Sequence, residues 1–181
     1  MDARFDTGRH GEVDLRWADG AVTATYVGDA RCHVKIRRRG AVTHPRTPLG
    51  TRDPRAVEVA SSGGVVTVRP RGARFTKRSY RVDLGVDGIA LDLSAHDLVS
   101  SEFRLSTIEV AHNVMAELTR REDGTVDVIW SAPVRLGRRL HEPPEPSREQ
   151  LLVALAAAAA FGTGGLSLMT IVANAVDAIL P

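Results

Sequence analysis

The chain has 181 residues, 43% of them apolar and 25% charged, which excludes general disorder and leaves room for one core with an appendage rather than two full domains. Only Lys35 and Lys77 of the 24 cationic residues are lysines, and this arginine bias, with abundant Ala, Val and Gly, points to a GC-rich bacterial genome. The formal net charge of +2 conceals strong segregation: residues 31–81 carry fourteen Arg or Lys against Asp53 and Glu58, whereas residues 82–130 carry Arg104, Arg120 and Arg121 against ten acids. Either these blocks lie side by side and pair across strands, or the basic block presents a positive face to an anionic partner.

The N-terminal Met1-Asp2-Ala3-Arg4-Phe5-Asp6 has no apolar run behind its charges and does not read as a signal peptide. A lone cysteine, Cys32, fits a reducing compartment. Both features predict a cytoplasmic β domain.

From Gly11 to about Trp130 the sequence alternates with period two between glycine and aspartate turns. Glu12–Trp17 alternates cleanly, and Asp19-Gly20 then turns the chain into Ala21–Val27, because an Asp-Gly pair accepts the positive φ of a tight hairpin. A third strand is predicted at Cys32–Arg37, followed by a long Pro- and Arg-rich loop from Gly40 to Arg55. Strands follow at Ala56–Ala60, Val65–Arg69, Ser79–Leu84 and Ile89–Leu93, the last two joined at Asp87-Gly88. Residues 107–120 mix strand and helix preferences, but their link through Glu122-Asp123-Gly124 to Thr125–Trp130 favours a hairpin. The expected fold is therefore mainly β, an antiparallel barrel or sandwich of about eight to ten short strands, with an apolar C-terminal helix or helix pair.

The organisation that follows is a β-rich domain at 1–141, a Pro-rich linker at 142–147 and the helical segment at 148–181. Ser147 is placed as an N-cap, with Glu149 in the first turn where the helix dipole favours a negative charge. Leu151–Val176 contains 26 residues without a formal charge, more than the roughly 20 that a bilayer crossing needs. Arginines precede this segment and none follows it, so a crossing helix would hold the β domain at the inner face of the membrane. Thr163, Ser167, Thr170, Asn174 and Asp177 recur at spacings of 4, 3, 4 and 3, which puts them on one side of a helix. Such a stripe suits association with a second helix. Gly162-Thr163-Gly164-Gly165 is a candidate break. Three roles fit the segment: a self-associating membrane helix, a core helix buried by the β domain, or an amphipathic helix that docks on a partner.

No catalytic, metal or cofactor motif is present. The six histidines lack ligand spacing, and Cys32 and His33 point to opposite faces of a strand. His96-Asp97 with Ser94, Ser100 and Ser101 has the residue types of a hydrolytic triad but no nucleophile elbow, and it suits a polar turn. The candidate site for an anionic partner is the basic set Arg69, Arg71, Arg74, Lys77, Arg78 and Arg81, interleaved with Phe75 and Tyr80 and joined by Lys35, Arg37 and Arg39. With 4% aromatic residues and no nucleic-acid module, nucleic acid is not expected as the partner, and an anionic membrane surface is the more economical one.

The order of elements, strands over Glu12–Trp130 followed by an apolar helix over Ser147–Leu180, resembles the superfamily of tubby C-terminal domains, LURP-one proteins and phospholipid scramblases. The likeness covers most of the chain and carries no specific motif; the strands predicted here number eight to ten where that barrel has twelve. It implies a β-barrel threaded by its C-terminal helix, lipid-related binding through basic residues and no hydrolytic chemistry. The leading expectation is a non-enzymatic, membrane-associated protein with a self-associating C-terminal helix. The alternatives are a soluble barrel of tubby-like type that binds lipid or a protein partner with the helix as its core, and an enzyme of unrecognised type.

Overall fold

The computed structural model describes residues 2–72, 77–106 and 113–165. Within them eleven strands form two antiparallel sheets. The first has β1 (Asp2–Asp6), β2 (Glu12–Ala18), β3 (Ala21–Tyr26), β4 (Asp29–Arg38) and β5 (Val57–Ser61) in chain order. The second has β6 (Val66–Pro70), β7 (Val82–Val86), β8 (Ile89–Ala95), β9 (Ser100–Leu105), β10 (Val114–Arg120) and β11 (Val126–Trp130), again each beside the next. A short hairpin, β12 (Val134–Leu136) with β13 (Arg139–His141), precedes the helix α1 (Arg148–Phe161).

Local chemistry accounts for the meander. Asp19 and Gly20 adopt φ of 51° and 69°, and Asp87 and Gly88 adopt 49° and 81°, the paired positive values of a two-residue hairpin turn. The first turn registers Ala18 against Ala21 and the second registers Val86 against Ile89. Alternation then sends Val13, Leu15, Val22, Ala24, Val34 and Ile36 inward from the first sheet, and Val82, Leu84, Leu91, Leu93 and Phe103 inward from the second.

Between the sheets lies α1. Leu151 to Ala160 are all 0% exposed, and they share one hydrophobic cluster with the inward residues of both sheets. A helix that is apolar on every side must be covered on every side, and here the strands supply the cover. Its alanines (Ala154 and Ala156–Ala160) keep the rod thin, so both sheets approach its backbone. At 14 residues it is about 21 Å long, and among the described residues no helix is long and apolar enough to cross a membrane.

Both ends of this buried helix are satisfied. Ser147 and Gln150 form a capping box: the Ser147 hydroxyl accepts from the Gln150 amide at 3.2 Å, and the Gln150 side chain accepts from the Ser147 amide at 2.9 Å. Glu149, in the first turn, accepts from the Ser61 hydroxyl at 2.7 Å and the Gly64 amide at 2.8 Å, tying the helix start to the β5–β6 connection between the sheets. At the other end the long loop folds back: Leu49 donates its amide to the Ala160 carbonyl at 2.8 Å, and Arg52 donates to the Phe161 carbonyl at 3.2 Å. Arg52 is 5% exposed and also reaches the carbonyls of Arg71 and Tyr80, so carbonyl dipoles hold this charge, and burial pushes its guanidinium down to about 10. On the far side of the wrap Trp130 donates its indole N–H to the Thr7 carbonyl at 2.8 Å, joining the β11 edge to the loop after β1.

The structure refines the expectation in three places. Among the described residues there are thirteen strands, eleven of them in the two sheets, where eight to ten were expected; β1, β9 and the β12–β13 hairpin carry few core residues and much charge, so their alternation is weak. The helix stops at the glycine-rich segment that was the candidate break. It ends at Phe161, and Gly162, the C-cap at φ 79°, takes the chain out of the helix; residues 166–181 lie outside those described. The loop from Gly40 to Arg55 is irregular as expected, yet Thr47, Leu49, Thr51 and Arg52 are buried because it closes the helix end.

Two outcomes follow from this core. Leu155→Ala leaves a cavity that the surrounding sheets cannot close and costs about 2–5 kcal/mol in denaturant unfolding. Tyr26, 1% exposed and donating its hydroxyl to the Arg148 carbonyl at 3.0 Å, has its phenol pushed up to about 12 by burial. A folded pKa above the unfolded value of about 10 means stability intact below pH 10 and lost as pH rises through 12, roughly 2–3 kcal/mol in all. The Tyr26→Phe variant therefore loses less stability than the parent between these values, measured by unfolding at a series of alkaline pH values.

Candidate functional site

The basic residues singled out in the sequence divide between the outer faces of the two sheets. On β4, alternation turns Lys35 and Arg37 outward while Val34 and Ile36 point to the core. Register places Arg37 opposite Glu58 on β5, and Arg39, just past the strand, reaches the same carboxylate. Arg37 Nε lies 3.5 Å from Glu58 Oε2. Hydrogen bonding from Arg39 holds the Glu58 carboxyl below its usual range, with the charges of Arg39 and Arg37 acting in the same direction. Lys35, Arg37 and Arg39, with one carboxylate among them, line a shallow depression of about 530 Å³ whose floor is Val57, Val59 and Ala60.

The second sheet carries a more ordered arrangement. A short 3-10 turn at Lys77–Tyr80 packs over β8, so Arg78 and Arg81 come to lie above the outer face of the sheet. Beneath them is Asp92, on β8, 1% exposed. One of its oxygens accepts from Ser94 at 2.5 Å and from Arg104 Nη2 at 3.0 Å; the other accepts from Ser106 at 2.9 Å and lies 3.3 Å from Arg81 Nη2. Asp83, one strand over, accepts from Arg81 Nε at 2.6 Å and from Arg71 Nε at 3.2 Å. Arg71, Arg78, Arg81 and Arg104, with Ser94 and Ala95, line a cleft of about 500 Å³. Basic residues from 71–81 thus pair with acids of 82–130, which realises the cross-strand pairing, while the linings of both clefts hold more cations than carboxylates.

The remaining candidates fall elsewhere. Arg69 is exposed on β6, opposite Asp83 in register, and lines neither cleft. Arg74 and the Lys77 side chain lie outside the described residues, as do Ser167, Thr170, Asn174 and Asp177 of the helix-association set. Thr163 lies beyond the helix end; its hydroxyl donates to the Val99 carbonyl at 2.6 Å and accepts from the Arg120 amide at 2.9 Å. The residues with triad-like chemistry form a turn. Asp97 accepts from the amides of Val99 and Ser100, bonds that hold its carboxyl below the usual range, and His96 bonds Glu102 at 3.0 Å. Cys32 is half-buried against the core, and burial pushes its thiol up, away from a reactive thiolate. Among the described residues no group of three His, Cys, Asp or Glu is placed to hold a metal ion.

Sequence reasoning missed Arg104, Asp92 and Ser94 as parts of the basic site. Arg104 lies in an acidic block, far in sequence from the basic run, and only the pairing of β8 with β9, which sets Asp92 opposite Arg104, brings it to the cleft.

Comparison with known proteins finds no family model, no curated protein and no solved structure that matches this chain.

Asp92 is the anchor of the cleft. Asp92→Ala leaves Arg81 and Arg104 without their shared carboxylate and costs about 2–4 kcal/mol in thermal or denaturant unfolding, well above an ordinary surface substitution.

Proposed function

We propose that this chain is a non-enzymatic binding domain, an antiparallel wrap with its helix as core, that meets an anionic membrane surface through the arginines of its outer faces. Of the readings open to the sequence, the enclosed helix favours this one. No residue of α1 from Leu151 to Ala160 has surface left for lipid or for a second helix. A rod of alanine and leucine between two antiparallel sheets is the arrangement that a likeness to tubby, LURP-one and scramblase domains would imply.

The observation that carries the proposal is a surplus of positive charge. The two clefts hold Lys35, Arg37, Arg39, Arg71, Arg78, Arg81 and Arg104 against Glu58, Asp83, Asp92 and Glu102. Cations near an anionic leaflet contribute about 1 kcal/mol each and fade within a Debye length, so a modest surplus gives reversible, salt-sensitive binding. The expected result is co-sedimentation with vesicles containing phosphatidylserine, none with phosphatidylcholine alone, and release at about 0.5 M salt. Equal recovery with both vesicle types, or with neither, would overturn the reading.

A further inference from the structure

The cleft on the second sheet is built differently from the depression on the first, and the difference points to a ligand. On the first sheet three cations surround one half-buried carboxylate on a shallow face. On the second, one carboxylate lies underneath: Asp92 is buried and fixes Arg81 and Arg104 from below, while the half-exposed Asp83 pairs with Arg81 and Arg71. Side chains held in this way need little further ordering to bind, and Arg71, Arg81 and Arg104 line the same cleft. Arg78 adds a guanidinium that makes no ion pair among the described residues. Glu102 lies on the rim, 3.6 Å from Arg104 Nη1, and shares its charge with His96. Counting Arg71, Arg78, Arg81 and Arg104 against Asp83, Asp92 and Glu102, the cleft keeps a positive balance with every carboxylate already engaged.

We infer that this cleft is a binding site for a phosphate monoester. Arginine forks match the oxygens of a phosphoryl group bidentately, and a monoester near pH 7 carries close to two negative charges, more than a carboxylate or a phosphodiester offers. The volume of about 500 Å³ exceeds a bare phosphate and leaves room for the group that the ester carries. The inference deepens the membrane reading, since a monoester headgroup would give the domain a preferred lipid, but a free phosphorylated ligand satisfies the same chemistry.

The test is calorimetric titration of the full chain, in a phosphate-free buffer, with inorganic phosphate and glycerol 3-phosphate, and with acetate as the control anion. Binding of both phosphates without acetate is expected. Arg78→Gln, which removes no ion pair among the described residues, weakens it about tenfold, while Arg16→Gln on β2, exposed and lining neither cleft, leaves it unchanged. Vesicles with phosphatidic acid, compared with phosphatidylserine at equal charge, then separate a lipid source from a free one. Phosphate binding with no vesicle binding supports the site and overturns the membrane reading. Vesicle binding that shows no monoester preference and is indifferent to Arg78→Gln overturns the site and leaves the membrane reading standing. Acetate binding as tightly as phosphate, or equal loss in Arg16→Gln, shows diffuse attraction and also overturns the site.

Discussion

Everything in this fold answers to a helix with no polar side. From Leu151 to Ala160 the chain offers water nothing, and a rod of that kind is stable only if another apolar surface meets it around its full circumference. A single twisted sheet covers one side of a helix. Two sheets curved toward each other cover it all, and the seams at Trp130–Thr7 and at Ser61–Gly64 are where the cover is joined. The small side chains of α1 are part of the same solution, because alanine lets two β layers come close without leaving voids between them.

Burying a helix end to end creates a second demand. Its terminal amides and carbonyls lose access to water and must find partners inside. The capping box at Ser147 and Gln150 meets that demand at the start, and the folded-back loop with Leu49 and Arg52 meets it at the end. The conformation of the 40–55 loop thus follows from the helix it closes. An arginine suits that position better than a neutral donor, since its charge also complements the negative end of the helix dipole.

What was legible in the sequence was local. The Asp19-Gly20 and Asp87-Gly88 turns, the alternation of β2–β4 and the Ser147 cap all depend on residues within a few positions of one another, and all are found. What was not legible was the environment of the apolar segment. Lipid and a protein interior make the same demand on a side chain, so the uncharged run could not distinguish them; for residues 151–161 the enclosing sheets, some of whose strands lie more than a hundred positions earlier, decide it. β1 and β9 escaped notice because an edge strand such as Asp2–Asp6, or one such as Ser100–Leu105 with a single fully buried apolar residue, hardly alternates. The cleft was half-visible. Its 71–81 arginines stood out as a run, whereas Asp92 and Arg104 become neighbours only through strand pairing.

The position of α1 in the chain has a consequence for how the protein reaches this state. The strands leave the ribosome first, and the surface they are made to cover arrives after all eleven of them. Tyr26 meets Arg148 across 122 residues, and Thr7 meets Trp130 across 123. Contacts of such span form slowly, because loop closure must precede their reward. During synthesis the meander is therefore a shell without a filling, its inward valines and leucines open to other chains. A late-arriving core makes this domain dependent on whatever shields those strands until residue 161 has emerged, and it makes assembly of the native state a single, terminal event.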